Sequence, residues 1–171
     1  ARLPEILRTP SGTIELNHPI LMADLVRLHA AMDAAAHQPL VLVGRRHLRS
    51  NNSWMHNIEV LVKGKPRCTL HVHPDDAARL GLSDGGVARV TSRVGTVDAA
   101  VEVTDSIRPG VVSLPHGWGH GQPGTRMRVA AERAGVNSNI LADHTAIDPL
   151  SGTSVLNGIP VEIVGVAVAA V

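Results

Sequence analysis

The chain has 171 residues, a formal net charge of +1 with histidine neutral, and 44% hydrophobic residues. This length and composition predict a globular chain with a single core and exclude a disordered chain. The near-neutral charge gives no whole-chain argument for nucleic-acid binding, and no apolar stretch reaches the roughly 20 residues needed to cross a bilayer.

The first predicted element is a helix within Ile14–Met32. Pro19 suits a first helical position, and the apolar residues after it recur at helical spacings of four, three and four. The residues that share this spacing are Leu21, Leu25, Leu28 and Met32. Residues 34–39 indicate a connector. We therefore expect residues 1–38 to be the tail of a preceding domain with a linker helix, and residues 39–171 to form one compact domain.

Beyond the connector, short valine-rich runs alternate with glycine and proline turns, a pattern typical of an all-β barrel or sandwich. The predicted strands are Leu40–Val43, Ile58–Val62, Cys68–Val72, Val87–Ser92, Val97–Val103, Val111–Leu114 and Val161–Val168. Pro74–Leu80 predicts a short helix, because proline and two acids occupy its first turn and Gly81 follows its end. Residues 126–135 fit either a helix or a strand.

Cysteine and aromatic residues are scarce. Cys68 is the single cysteine, which excludes a disulfide or a four-thiolate iron–sulfur cluster built from this chain alone. Minimal cysteine use and the lack of a signal pattern favour a cytoplasmic location. Two Trp are present with no Phe or Tyr, so the core must rest on Val, Leu, Ile and Ala, which favours a sheet.

The first polar constellation is Gly44–Asn57, with the sequence GRRHLRSNNSWMHN, directly after a predicted strand. Glycine permits close backbone approach, arginine offers forked donors, and serine and asparagine supply neutral hydrogen-bonding groups. A flat, heteroatom-rich ring that bears phosphates needs this mixture. An ordinary solvated loop is the alternative.

A second constellation, PHGWGHG at residues 115–121, also follows a predicted strand. Its three glycines around a tryptophan indicate a rigid loop on which a planar group stacks. A zinc site is the alternative, with His116 and His120 joined by His71 and His73. No carboxylate or thiolate completes that ligand set.

A third constellation, GVNSNIL at residues 135–141, is followed by Asp143. Paired asparagines donate and accept at once, which suits the amide-like edges of a pterin or a guanine, although asparagines that only form turns are the alternative. No nucleophile with an adjacent base is evident, so we predict no catalytic residue and no metal ligand in this chain.

Four motifs, in this order, resemble the C-terminal molybdopterin-dinucleotide-binding domain of the dimethyl-sulfoxide-reductase family. They are GRRHLRSNNSWMHN after a strand, HVHPDDAARLGLSDGG, RVTSRVGTVDAAVEVTDSIRPGVVSLPHGWGH, and GVNSNILAD with DPLSG. The resemblance covers residues 39–168. Within the family, the form SNNSWMHN is most similar to the formate-dehydrogenase-like branch.

The resemblance implies a six-stranded double-psi β-barrel with a few short helices, which holds a bis(molybdopterin guanine dinucleotide) that carries Mo or W. Family members carry their iron–sulfur cysteines and metal ligand upstream, so Cys68 is expected to be a small buried hydrophobe. The cofactor-binding residues that the resemblance implies are Gly44, Arg45, Arg46, Ser50, Asn52, Ser53, His56, His116, Gly117, Trp118, Asn137, Asn139 and Asp143.

The expected partners are therefore the remaining domains of a parent oxidoreductase, with no nucleic acid and no membrane insertion. Such a domain is not expected to be active alone. Two alternatives stay open from the sequence: a stand-alone double-psi barrel that acts as a binding or interaction module, and a small zinc protein with histidine ligands.

Overall fold

The structure, a computed structural model, describes residue 2 and residues 5–35 and 40–167. Contacts divide the chain into two compact units, Ala1–Gln38 with Pro149–Ser151 and Pro39–Asp148 with Gly152–Val171. The domain boundary that the sequence predicts, between residues 38 and 39, lies outside the described residues.

The first unit contains two helices where the sequence predicts one, α1 (Pro19–Ala23) and α2 (Leu25–Ala35). Pro19 opens α1, and the His18 ring accepts a hydrogen bond from the Ile20 amide at 3.4 Å. Because α2 extends to Ala35, residues 34 and 35 of the predicted connector are helical. The remainder of that connector lies outside the described residues.

The second unit is built on one mixed sheet. Its strands are β1 (Val41–Arg45), β2 (Thr69–Val72), β3 (Val87–Thr91), β4 (Thr96–Val103), β5 (Val111–Pro115), β6 (Asn157–Pro160) and β7 (Glu162–Val166). Their order in the sheet is β6-β1-β5-β2-β4-β3-β7. The pairs β1–β5 and β2–β4 are parallel, and β3–β4, β1–β6 and β3–β7 are antiparallel.

The two edge strands of this sheet are consecutive in the chain. Val161 alone separates β6 from β7, and its amide donates to the Leu40 carbonyl at 3.1 Å. Since one residue spans only a few ångströms, the sheet must curl until its edges meet. The predicted class, a mainly β double-psi barrel with short helices, is confirmed, with seven strands among the described residues where six are predicted.

The predicted strand Ile58–Val62 is wrong, because these residues form a turn of helix, α3 (Glu59–Val62). The amides of Leu61 and Val62 both donate to the Ile58 carbonyl. Val62 is buried while Val60 is exposed, so a single side of the turn packs inward. A five-residue apolar run does not distinguish a strand from a buried helical turn.

Strand β6 is absent from the sequence prediction. It contains Gly158 and Pro160, which weaken a strand pattern but are tolerated at a sheet edge. Gly158 has a φ of 77°, and the register against β1 shifts between Leu42 and Val43. The ambiguous segment 126–135 contains a helix, α5 (Arg128–Glu132).

The core lies inside the curled sheet. Its fully buried apolar side chains are Leu141 and, from three strands, Leu70, Val72, Ala88, Val90, Val112 and Leu114. The helix α4 (Pro74–Leu80) forms as predicted and ends at Gly81, whose φ is 64°. None of the helices in the described residues has the length and apolar character that a membrane span requires.

Candidate functional site

The three polar loops meet, as the sequence predicts. A Cβ atom on Gly117 would lie 2.3 Å from the Asn52 carbonyl oxygen, and one on Gly119 would lie 2.6 Å from the Asn137 Cβ. Both glycines have a positive φ, 85° and 108°. The loop at 116–120 therefore packs between the other two, and glycine is needed at both contacts.

The topology explains this convergence. Strands β1 and β5 are parallel neighbours, with Arg45 opposite Pro115, so the loops that follow them leave from the same edge of the sheet. The His116 amide donates to the Arg45 carbonyl at 3.2 Å. Segments 46–57 and 116–120 are therefore neighbours in space although β2, β3 and β4 separate them in the chain.

A cavity of about 250 Å³ opens at this edge, which we call the β1–β5 cavity. It combines apolar walls with arginine, histidine and amide side chains. Its lining residues are Leu42, Gly44, Arg45, Arg46, Leu114, His116, Ser138, Asn139, Ala142, Leu156, Asn157 and Ile159. Of the predicted site residues, Gly44, Arg45, Arg46, His116 and Asn139 are thus brought together.

Arg46 supplies an exposed positive charge to this cavity. Its side chain is exposed, and one guanidinium nitrogen donates to the Asn52 Oδ1 at 3.3 Å. No carboxylate of the described residues forms an ion pair with it. Asn51 and Asn52 have φ values of 43° and 61°, a region that asparagine tolerates better than most residues. Asn52 therefore both shapes the loop and orients Arg46.

Arg45 has a different role. Its guanidinium donates to the carbonyl oxygens of Ser113 and Thr69, each at 2.6 Å, and so joins β1 to β5 and β2. Burial lowers the pKa of Arg45, and the nearby Glu102 carboxylate opposes that shift. The Arg45 guanidinium thus bonds the neighbouring strands, and Arg45 also contributes to the cavity lining.

Asn157 is a cavity residue that the sequence analysis missed. Its Oδ1 accepts a hydrogen bond from the Gly44 amide at 2.8 Å. This bond fixes the orientation of the side-chain amide, so that Nδ2 remains as a hydrogen-bond donor. Asn157-Gly158 is a turn signal, but nothing in the local sequence connects it with Gly44, which is 113 residues away.

Asn137 and Asp143 do not line the β1–β5 cavity. Asn137 accepts from the Asn139 amide at 3.0 Å and caps the 3-10 helix Ser138–Leu141, which carries Asn139 into the cavity wall. Asp143 accepts hydrogen bonds from Arg93 and Thr145. Arg93 first, and then Thr145, hold the pKa of Asp143 well below its usual range. Asp143 lines a different cavity, beside Arg93.

His56, Trp118 and His120 form a separate aromatic cluster. The His56 Nδ1 lies 2.6 Å from the His120 Nε2, and the rings of His56 and Trp118 are 4.2 Å apart. His56 is only 2% exposed. Burial, with smaller contributions from His120 and His47, lowers the pKa of His56 to about 4, so its ring is neutral at pH 7. None of these three residues lines the β1–β5 cavity.

The predicted site residues Ser50, Ser53 and Gly117 also lie outside the cavity lining. Ser50 is buried, and its hydroxyl donates to the His47 carbonyl at 3.0 Å. The backbone of Ser53 packs against Gly117. These three residues hold the loops in place and present no side chain to the cavity.

The zinc alternative has no ligand set in the part of the chain that the structure describes. Within residues 2, 5–35 and 40–167, no group of three or more His, Cys, Asp or Glu side chains is placed to hold a metal ion. His120 instead bonds His56. The His73 ring accepts from the Asp75 amide at the start of α4, and His71 lies 3.5 Å from Glu102.

The chain matches a known domain family and is similar to parts of several larger proteins. Residues 40–160 match a family described as "Molydopterin dinucleotide binding domain". A tetrathionate reductase polypeptide of Salmonella typhimurium is 31% identical, over 58% of this chain and 11% of that protein. The dimethyl sulfoxide/trimethylamine N-oxide reductase of Rhodobacter capsulatus is 32% identical, over 65% and 15%. Acetylene hydratase from Pelobacter acetylenicus has a TM-score of 0.64 at 23% identity, over 91% and 24%.

This chain therefore spans less than a quarter of the length of each of these proteins. The structural similarity to acetylene hydratase supports the fold alone. The family match covers most of the second unit and includes all three polar loops. The chain belongs to the molybdopterin dinucleotide-binding domains of the dimethyl-sulfoxide-reductase family, as its four motifs predict.

Proposed function

We propose that the β1–β5 cavity holds part of a bis(molybdopterin guanine dinucleotide) that carries Mo or W, within a larger oxidoreductase. The observation that carries this proposal is the convergence of Arg46, His116, Asn139 and Asn157 on one cavity from loops that are distant in the chain. The bound group would supply redox chemistry at its metal. This chain would supply binding, orientation and electrostatics.

The donor set fits such a group. Arg46 has no carboxylate partner in the described residues, and a guanidinium is suited to bidentate binding of a phosphate. Asn139 and the Nδ2 of Asn157 match the amide-like edges of a pterin or a guanine. The exposed backbone of Gly44 gives a flat surface between them.

The size of the cavity indicates that this chain forms only one wall of the complete site. Ligand pockets in proteins usually enclose about 300–1,000 Å³ and bury most of the ligand, whereas this cavity encloses about 250 Å³. A dinucleotide with two pterins is larger than most small ligands. The other domains of a parent protein would therefore enclose the remainder.

For the parent we propose formate-dehydrogenase-like chemistry. The support is the resemblance of Ser50–Asn57, SNNSWMHN, to that branch of the family. In the full-length parent this is tested by formate-dependent reduction of a dye. Turnover with another substrate and none with formate would refute this finer proposal and leave the dinucleotide site intact.

The site itself is tested by two substitutions at Asn157 in the full-length parent. Asn157→Asp keeps an oxygen that accepts from the Gly44 amide but replaces the amide donor with an anion, whereas Asn157→Ala removes both. We expect both variants to lose cofactor affinity by about tenfold or more, the effect of one hydrogen bond to a charged or buried partner. Asn157→Asp should keep the stability of the parent more closely than Asn157→Ala.

The measurement is metal content by mass spectrometry together with guanine nucleotide released on acid hydrolysis, each per mole of protein. Arg46→Ala should lower both quantities. Arg49→Ala is the matched control, because Arg49 is exposed on the same loop and does not line the cavity. Wild-type content in the Asn157 and Arg46 variants would refute the site. One guanine nucleotide per metal ion would refute the bis form.

A further inference from the structure

A second cavity is lined partly by Trp118 of the 116–120 loop. It encloses about 570 Å³ and shares no lining residue with the β1–β5 cavity. His116 faces the first cavity and Trp118 faces the second. The second cavity, which we call the α3–α5 cavity, is lined by Val62, Lys65, Pro66, Arg67, Cys68, Trp118, Glu132, Arg133, Ala134 and Gly135.

Two guanidinium groups converge in the α3–α5 cavity. A nitrogen of Arg67 and a nitrogen of Arg133 both donate to the Val62 carbonyl oxygen, at 3.4 and 3.0 Å. Further bonds to the carbonyls of Lys63 and Gly64, at 2.9 and 3.0 Å, fix their positions. Two like charges are thus held within a few ångströms of each other by neutral acceptors.

No carboxylate of the described residues compensates this pair. Glu132 is the only acid among the described residues of the lining, and it is bonded to Arg128 at 3.1 Å. Lys65 adds a third cation, whose ammonium lies 3.9 Å from Glu102. The cavity therefore carries an excess of positive charge.

Two buried ring nitrogens lie beside the same region. The Trp118 Nε1 is buried and has no hydrogen-bond partner among the described residues, and the same is true of the His56 Nε2. Both rings line a small inner pocket of about 10 Å³ that shares Val62, Arg67 and Trp118 with the α3–α5 cavity. A pocket of this size has room for about one water molecule and not for an oxyanion. The Trp118 ring therefore serves as a neighbour of the α3–α5 cavity and not as a ligand in it.

We propose that the α3–α5 cavity binds a phosphate-like oxyanion, held by the guanidinium groups of Arg67 and Arg133 with the Lys65 ammonium beside them. Each of these groups only donates hydrogen bonds, and guanidinium groups bind oxyanions bidentately with charge-assisted bonds. The ligand supplies the acceptors and the negative charge that the lining lacks. This site is separate from the dinucleotide site and does not depend on it.

The chain provides its own reporter, since it contains two Trp and no Tyr or Phe. Two indole N–H signals are expected in an ¹⁵N-labelled sample, and Trp54→Leu assigns them because Trp54 is 82% exposed. Pyrophosphate or inorganic phosphate should shift the Trp118 indole signal in a saturable manner, because that residue lines the cavity. The Trp54 signal should stay in place.

Arg133→Gln should weaken pyrophosphate binding by about tenfold, the loss expected for one charge-assisted hydrogen bond. Arg126→Gln is the matched control, because Arg126 is an exposed arginine just before α5 and lines neither cavity. Lys65→Gln is a second test at a side chain that is 80% exposed, where folding is not at risk, and it should also weaken binding.

Several results would overturn the proposal. They are an unchanged Trp118 signal in pyrophosphate, an equal shift in sodium chloride at the same ionic strength, and equal weakening by Arg126→Gln and Arg133→Gln. Asn157→Ala provides the test of separation between the two cavities. If it weakens pyrophosphate binding at Trp118 as much as Arg133→Gln does, the two cavities are not distinct sites.

Discussion

Gly117→Ala tests whether close packing of the loops maintains the site. The added Cβ would lie 2.3 Å from the Asn52 carbonyl oxygen and 2.5 Å from its carbon, and both are backbone atoms. A rotamer change cannot relieve such a contact, so the segment that carries Arg46 and Asn52 must move away. The perturbation is one methyl group, and it adds no polar atom.

Two contributions lower the free energy of unfolding of Gly117→Ala. A non-glycine residue at a φ of 85° costs about 1–3 kcal/mol, and forcing a methyl into a packed contact costs about another 1–3 kcal/mol. Gly110→Ala incurs only the first cost, because Gly110 has a φ of 80° and nothing within 4 Å of the added atom. The difference between the two variants therefore isolates the contact between the loops.

The assay is urea unfolding of the isolated chain, followed by tryptophan fluorescence, with thermal unfolding as a second measurement. The free energy of unfolding should be about 1–3 kcal/mol lower in Gly117→Ala than in Gly110→Ala. For a chain of this size, the melting temperature should be lower by a further 2–12 °C or so. Equal destabilisation by the two substitutions would show that the loops do not pack as described, and the dinucleotide site would lose its geometric basis.

Three further predictions concern charge, pH and the isolated chain. Arg45→Gln should lower the free energy of unfolding by about 1–3 kcal/mol, since it leaves a buried carbonyl without its donor. Arg46→Ala should leave the free energy of unfolding unchanged. Urea unfolding measures both variants. Burial holds the pKa of His56 at about 4, below its ordinary 6.5, so the unfolded chain binds more protons between these values and stability should fall as the pH drops through them. Between pH 7.5 and 4, the melting temperature should fall less in His56→Gln than in the wild-type chain. In the control His144→Gln, at an exposed histidine, it should fall as much as in the wild-type chain. The isolated chain, expressed in a host that makes the cofactor, should contain neither Mo nor W in stoichiometric amount and should reduce no dye with formate. The reason is that, in the proposal above, it supplies only one wall of the site. Stoichiometric metal with turnover would contradict this prediction.

The sequence predicts the elements of the barrel better than its edges. Strands with valine-rich alternation, such as β3 and β4, and the capped helix α4 lie close to their predicted positions. Ile58–Val62 fails because a short apolar run fits a helical turn equally well. β6 is missed because Gly158 and Pro160 hide an edge strand.

The candidate site, like the fold, could be predicted from the sequence only in part. Local composition identifies the three loops, because phosphate and heterocycle binding requires arginine, glycine and amide side chains close to one another. It cannot tell which side chains of a loop face the ligand, since that depends on how each loop packs. Trp118 and His116 are two residues apart and face different cavities. Asn157 joins the site only through its bond to the Gly44 amide.

The adjacent arginines at the end of β1 show why residue type alone is an insufficient guide to a binding site. Successive residues of a strand point to opposite faces of the sheet. Arg45 therefore shares a face of β1 with Val41 and Val43, opposite the buried Leu42, and donates to the carbonyls of Ser113 and Thr69. Arg46, the residue after β1, is exposed and donates to Asn52. The bonds of Arg45 hold β1 against β5, and that pairing places Arg46 beside His116. One arginine thus fixes the edge of the sheet at which the other can meet an anionic ligand, and exchanging their roles would require the strand to shift its register by one residue.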